Sequence, residues 1–264
     1  MDKEKLIECL KTGSEIAGGV VGGAIGLIGG PAGAMIGGGA SVVVSKGLIE
    51  ITERFLSSRE SIRASASAAY SITSIDDRIK QGEELRSDDF FDVMDGRSKA
   101  EELSEGVLIK CKNEYQEKKI KFISNIYSNA VFDSNLSAEN ANQILTVAET
   151  LSYRKMSILK LMKYKDTVIN LGLRDSDYRT NGEHETGAER MSLELGLLLQ
   201  DFMDLCNIGL IERKDSTAMI DISDVNPKGM QLSTIGQKYY DLMGLKDIES
   251  TDLDEIIENL KKST

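Results

Sequence analysis

Thirty consecutive residues, Ile16 to Ser45, carry no charged side chain, and 12 of the protein's 24 glycines lie between Gly13 and Gly39. The run reads IAGGVVGGAIGLIGGPAGAMIGGGASVVVS. Within it Gly18, Gly22, Gly26 and Gly30 recur every fourth residue, and Gly29, Gly33 and Gly37 repeat that spacing. Positions i and i+4 share one face of a helix, so each set makes a ridge without side chains. Such a ridge lets a neighbouring helix approach to backbone contact, the packing device of membrane helices. Pro31 follows Gly29-Gly30, removes a donor and clashes with the turn before it, dividing the run. One membrane crossing needs about 20 apolar residues. The run therefore predicts one kinked, tilted span or a tight hairpin of two short helices.

Two other uses compete for the same residues. Each glycine costs a helix about 1 kcal/mol against alanine, so the run suits a buried helical pair in a soluble protein as well. A phosphate-binding loop or linker fits less well, because Gly47 follows Lys46 where GxxxxGK[ST] needs Ser or Thr. The mixed charges of Met1 to Lys11, with no small-residue cleavage site after a short apolar run, do not read as a secretory signal.

Beyond Lys46 the pattern is helical. Phe55, Ile62, Ala66, Ala69, Ile72 and Ile79 form one stripe, with the small-residue phrase RASASAA inside it. GEELRSDDFF from Gly82 breaks the pattern as a loop. A single long helix is predicted over Arg97 to Val131, with Leu103, Val107, Cys111, Tyr115, Phe122 and Ile126 on its buried side. Ser137 is a good N-cap for a following helix whose Ile144, Val147, Ala148 and Leu151 face inward. Ser152 restarts a helix, and a polar segment from Asp166 to Arg190 follows. The apolar phrase MSLELGLLLQDFMDLCNIGLI then makes a helix that ends at Gly209, a left-handed C-terminal position. Short strands are expected at Leu210 to Arg213 or Ala218 to Ile222, paired with Gly229 to Leu232 across the Asn226-Pro227-Lys228-Gly229 turn. Thr234 is expected to cap the next helix, and Ile256, Ile257 and Leu260 mark a last amphipathic helix in the acidic tail.

The fold class that follows is mainly α: a glycine-rich N-terminal transmembrane segment or hairpin, a helical bundle, and a C-terminal module with a small β-hairpin. The boundaries are 1–15 for an amphipathic start, 16–47 for the glycine segment, 48–150 for the bundle, 151–246 for the module and 247–264 for the tail.

Chemistry is hard to place. The single histidine, His184, sits in the polar phrase NGEHETG with no second ligand at helical spacing. Cys9, Cys111 and Cys206 are odd in number and far apart, which excludes a disulfide framework and predicts a reducing compartment. Acidic pairs such as Asp76-Asp77 and Asp88-Asp89 are adjacent in sequence and diverge on a helix. The expectation is a non-catalytic protein with no cofactor and no metal. The net charge of −11 argues against duplex DNA.

The phrases LLLQDFMDLCNIGLIER and LSTIGQKYYDLMGL, separated by a hairpin, resemble the recognition helix, wing and closing helix of a winged-helix module. Acids outnumber bases by about six from Arg190 onward, so the module is expected to meet protein and not phosphate. Taken whole, the layout resembles abortive-infection alpha-type proteins of bacteria, through FISNIYSNAVFD (Phe122 to Asp133), Leu151-Ser152 and GLIE (Gly209 to Glu212). That resemblance implies an anti-phage effector in the bacterial inner membrane, with its C-terminal body in the cytoplasm and self and lipid as partners. A nucleotide or oligonucleotide from a neighbouring enzyme is a further regulator such effectors answer to. Arg174, Tyr178, Arg179 and Arg190 in the polar segment are the expected contacts for a signal or partner. The competing expectation is a soluble oligomeric adaptor whose acidic module binds a protein.

Overall fold

The structure, a computed structural model, describes residues 43–44, 47, 58–165, 167–168, 171–174, 192–215, 219 and 221–261. The chain divides into two compact units, Met1–Ser152 and Tyr153–Thr264. It is mainly helical, with eight long α-helices and one two-stranded antiparallel sheet among the described residues.

The first unit packs α1 (Ser58–Lys80), α2 (Lys99–Asn113), α3 (Ile120–Ala130) and α4 (Ala138–Thr150). Ion pairs and a hydrogen bond fix their directions. Arg59 meets Glu117 at 3.2 Å beside the start of α3, and Arg78 Nη1 donates to Asn129 Oδ1 at 2.8 Å near its end, so α1 and α3 run parallel. Lys112 near the end of α2 faces Glu60 near the start of α1, 3.9 Å away, so α2 runs against α1. Lys110 pairs with Glu149 at the end of α4.

The middle of α1 is buried on every side, from Ala64 to Ala69. Only small side chains allow that, since helices crowd it from several directions at close range. The serines there carry a polar seam through the core. Ser67 and Ser124 hydroxyls lie 2.8 Å apart, and the Ser124 hydroxyl is also 2.6 Å from Ile120 O. Leu103, Val107, Ile123, Ile126, Tyr127 and Leu145 fill the apolar remainder. Ser98 and Glu101 form a capping box at the start of α2, and Ser137 caps α4 as its sequence predicts.

The single helix expected over Arg97 to Val131 is two. Glu114 turns extended after α2, at φ −73° and ψ 123°, and a 3-10 turn over Glu117–Lys119 leads into α3. Tyr115, expected inside, is 81% exposed. No Gly or Pro marks this break, and it is held by tertiary bonds: Arg63 Nη1 donates to Glu114 O at 2.6 Å, and the buried Glu114 carboxylate pairs with the buried Lys119.

The second unit holds α5 (Tyr153–Tyr164), α6 (Leu193–Asn207), β1 (Ile211–Arg213), β2 (Met230–Leu232), α7 (Thr234–Met243) and α8 (Asp254–Lys261). Ser192 caps α6, and Gly209 takes a left-handed φ of 75° just after it. β1 and β2 pair in the register Ile211 to Leu232, Glu212 to Gln231 and Arg213 to Met230. The strand thus lies within the first of the two expected positions; Ile222–Asp224 forms a 3-10 turn capped by Asp221, and Ala218 lies outside the described residues. Ser233, not Thr234, is the N-cap of α7, because its hydroxyl accepts from Gly236 N at 2.9 Å. The acidic tail packs into this unit instead of standing apart. Leu253 and Leu260 are fully buried, Tyr153 donates to Asp252 at 2.6 Å, and buried Lys160 donates to the carbonyls of Lys246 and Ile248.

Candidate functional site

Of the residues nominated from sequence, Gly18, Gly22, Gly26, Gly30, Gly33 and Gly37 lie outside the described residues, as do Tyr178, Arg179 and Arg190. Arg174 is described and half-buried, and its carbonyl accepts from Lys228 N at 3.3 Å beside the hairpin turn. The C-terminal edge of the glycine run is also visible. Val44 is buried, and Gly47 sits so close to α2 that an added Cβ would lie 3.3 Å from Leu108 Cδ1 and 3.8 Å from Ser104 Oγ. Gly47, just beyond that run, is therefore packed on α2. Among the described residues, no helix is long and apolar enough to cross a membrane.

One cleft of the first unit is not announced by the sequence. It has a volume of about 280 Å³ and opens where the ends of α2 and α4 meet the 3-10 turn before α3. Lys110, Lys119, Glu114 and Glu149 supply its charges, and Tyr115 stands at its rim. Each charge is answered: Lys110 pairs with Glu149, and Lys119 pairs with Glu114 while donating to Glu149 O at 2.9 Å. Two buried ions in mutual contact stabilise little, but neither can lose its partner without a large cost. The signal that could have found this site was the phrase NEYQEKK, whose Glu and Lys at a spacing of five do not fit one helix face.

A second cleft, of about 340 Å³, lies in the second unit between the end of α6 and β1. Met203, Cys206, Ile211 and Met219 line it with Arg213. Burial pushes the Cys206 thiol up to about 12, with Arg213 opposing the shift, and pushes the fully buried Cys111 thiol up to about 11. Both stay protonated at neutral pH and are poor nucleophiles. No group of three or more His, Cys, Asp or Glu side chains able to hold a metal ion occurs among the described residues.

The acidity of α6 is largely used internally. Asp201 pairs with Arg154 at 2.5 Å, and Asp204 with Lys155 at 2.7 Å, both bases coming from α5. Lys155, then Gln200, hold the Asp204 carboxyl below its ordinary range. What α6 shows to solvent is Leu193, Glu194, Leu197, Gln200 and Asn207, with no base among them. Compared with known proteins, the chain matches no family model, no curated protein and no solved structure.

Proposed function

We propose that this protein is an oligomeric membrane effector, pore- or channel-forming, of a bacterial anti-phage abortive-infection system, with a helical body that assembles it. The observation that carries the proposal is the charge-free run of Ile16 to Ser45 with glycine at every fourth position. Alone, such a segment buries little; several together satisfy their backbones and fit ridge to ridge inside lipid. The burial of Val44 and the packing of Gly47 on α2 support a link between run and body. Lys46, Arg54, Arg59 and Arg63 follow the run and favour a cytoplasmic body.

The test is substitution on the ridge. Gly22→Leu or Gly26→Leu is expected to abolish toxicity on expression and ion leakage through the membrane, while the body stays folded by circular dichroism. Undiminished leakage in both variants would refute the pore.

A second reading, a soluble oligomeric adaptor, is favoured by α6. The order α6, β1, β2, α7 supports a winged-helix module, yet its would-be recognition helix offers exposed Leu193 and Leu197 where a DNA reader needs Arg or Lys. That surface suits a protein. Cell fractionation separates the two readings: full recovery in the soluble fraction on overexpression favours the adaptor.

A further inference from the structure

The first unit is electrically polar along its helices. At one end, residues 58–63, 110–121 and 149–152 bring seven bases against four acids. At the other, residues 76–105 and 129–140 bring thirteen acids against five bases. The acidic end also carries an apolar tip. Val93 and Met94 are 67% and 64% exposed, on a tight turn in which Asp95 and Gly96 take φ of 54° and 86° and Met94 bridges Arg97.

That tip is held rigidly. Buried Arg86 donates to Ala130 O at 3.2 Å and Leu136 O at 2.9 Å, grips Asp88 through two bonds, and lies 4.3 Å from the ring centre of buried Phe90. Lys99 holds Asp89 at 2.9 Å on the far side of the turn. The exposed Asp92 and Asp95 take no part in the ion pairs of the described residues. A braced loop that shows two apolar side chains between two unanswered carboxylates has lost its entropy before any partner arrives, which favours binding. The basic end offers the complement: a net excess of three bases, the cleft of about 280 Å³ and the exposed ring of Tyr115.

We infer that the first unit joins copies of this chain head to tail, the Val93-Met94 tip of one protomer docking at the Tyr115 cleft of the next. A contact between two different surfaces is heterologous, so it closes into a ring or runs on as a filament. Opposite end charges steer the approach and oppose tip-to-tip and cleft-to-cleft pairing. This inference deepens the assembly step of the proposed function and needs that reading only for its purpose, since the contact itself lies wholly outside the glycine run.

The experiment uses the full chain in detergent, with Cys9→Ser and Cys206→Ser and with the fully buried Cys111 retained. Val93→Cys and Tyr115→Cys are introduced singly and together, and a short bismaleimide is added. The double variant is expected to give a ladder of dimers, trimers and larger species; each single variant is expected to stay monomeric on the gel. Asp92→Lys with Asp95→Lys is expected to cut the ladder about tenfold at low salt, and about 1 M salt to weaken it likewise. A double variant without a ladder, or single variants that cross-link as well as the double, overturns the inference. Adding Gly22→Leu separates the two proposals: a ladder that survives while leakage is lost reports intact poles and a broken pore.

Discussion

The α-carbon of Gly236 lies against the main chain of Leu210, so that a Cβ placed there would fall 1.8 Å from the Leu210 carbonyl oxygen. The same carbonyl accepts from Ser233 N at 3.1 Å, and the Ser233 hydroxyl donates to Gly209 O at 2.6 Å. The entry to α7 is thereby locked onto the exit of α6, and it aligns β1 with β2 between them.

Gly236→Ala is expected to unfold the second unit or destabilise it by about 3 kcal/mol or more, since main chain cannot yield as a side-chain tip can. Gly106→Ala is the contrast. Its Cβ would meet only Leu145 Cδ2, at 3.1 Å, and alanine gains about 1 kcal/mol of helix propensity. Urea denaturation of both variants checks the difference; equal stabilities would be inconsistent with the packing described.

Arg86→Ala takes a donor from two carbonyls, of which Ala130 O keeps Asp133 N, and removes the cation above Phe90. A loss of about 2–4 kcal/mol is expected, together with faster amide exchange over the 88–97 turn. A change under about 0.5 kcal/mol would show that the turn is not braced by this residue.

Lys119→Met leaves the Glu114 carboxylate buried without its ion partner, at an expected cost of about 3–5 kcal/mol. Adding Glu114→Gln is expected to recover much of that loss, because the uncompensated charge is gone. Additive losses in the double variant would contradict a coupled pair.

The α5–α6 contact should be acid-labile. Pairing with Lys155 depresses the Asp204 carboxyl in the folded state, so its contribution is present above the unfolded carboxylate pKa, about 4, and is lost as pH falls through the depressed folded value. Urea midpoints measured from pH 7 down to pH 2.5 should fall across that window. The drop should shrink in Asp204→Asn, which has no such proton to take up; an unchanged pH profile in that variant would remove Asp204 from the explanation.

Helices with strong apolar spacing and a polar cap were legible in the sequence. Ser137, Gly209 and the Asn226–Gly229 turn all behave as their local chemistry dictates, because each effect is settled within four residues. The break at Glu114 was not legible. Its cause lies in Arg63, about fifty residues away, and in a buried ion pair that no periodicity announces. For the same reason helical spacing places Tyr115 on the inside of a helix that does not continue through it. Ser233 displaced Thr234 as the cap because its hydroxyl is placed by Gly209, a contact between elements that sequence spacing cannot show.

The most direct measurement of the central claim is dye release from vesicles of bacterial-type lipid by the purified full-length chain, beside a chain carrying both Gly22→Leu and Gly26→Leu. Rapid, concentration-dependent release by the first and little by the second is the expected result. Intact vesicles with both chains, at protein levels where the body is folded, would contradict the account of this protein as a membrane effector.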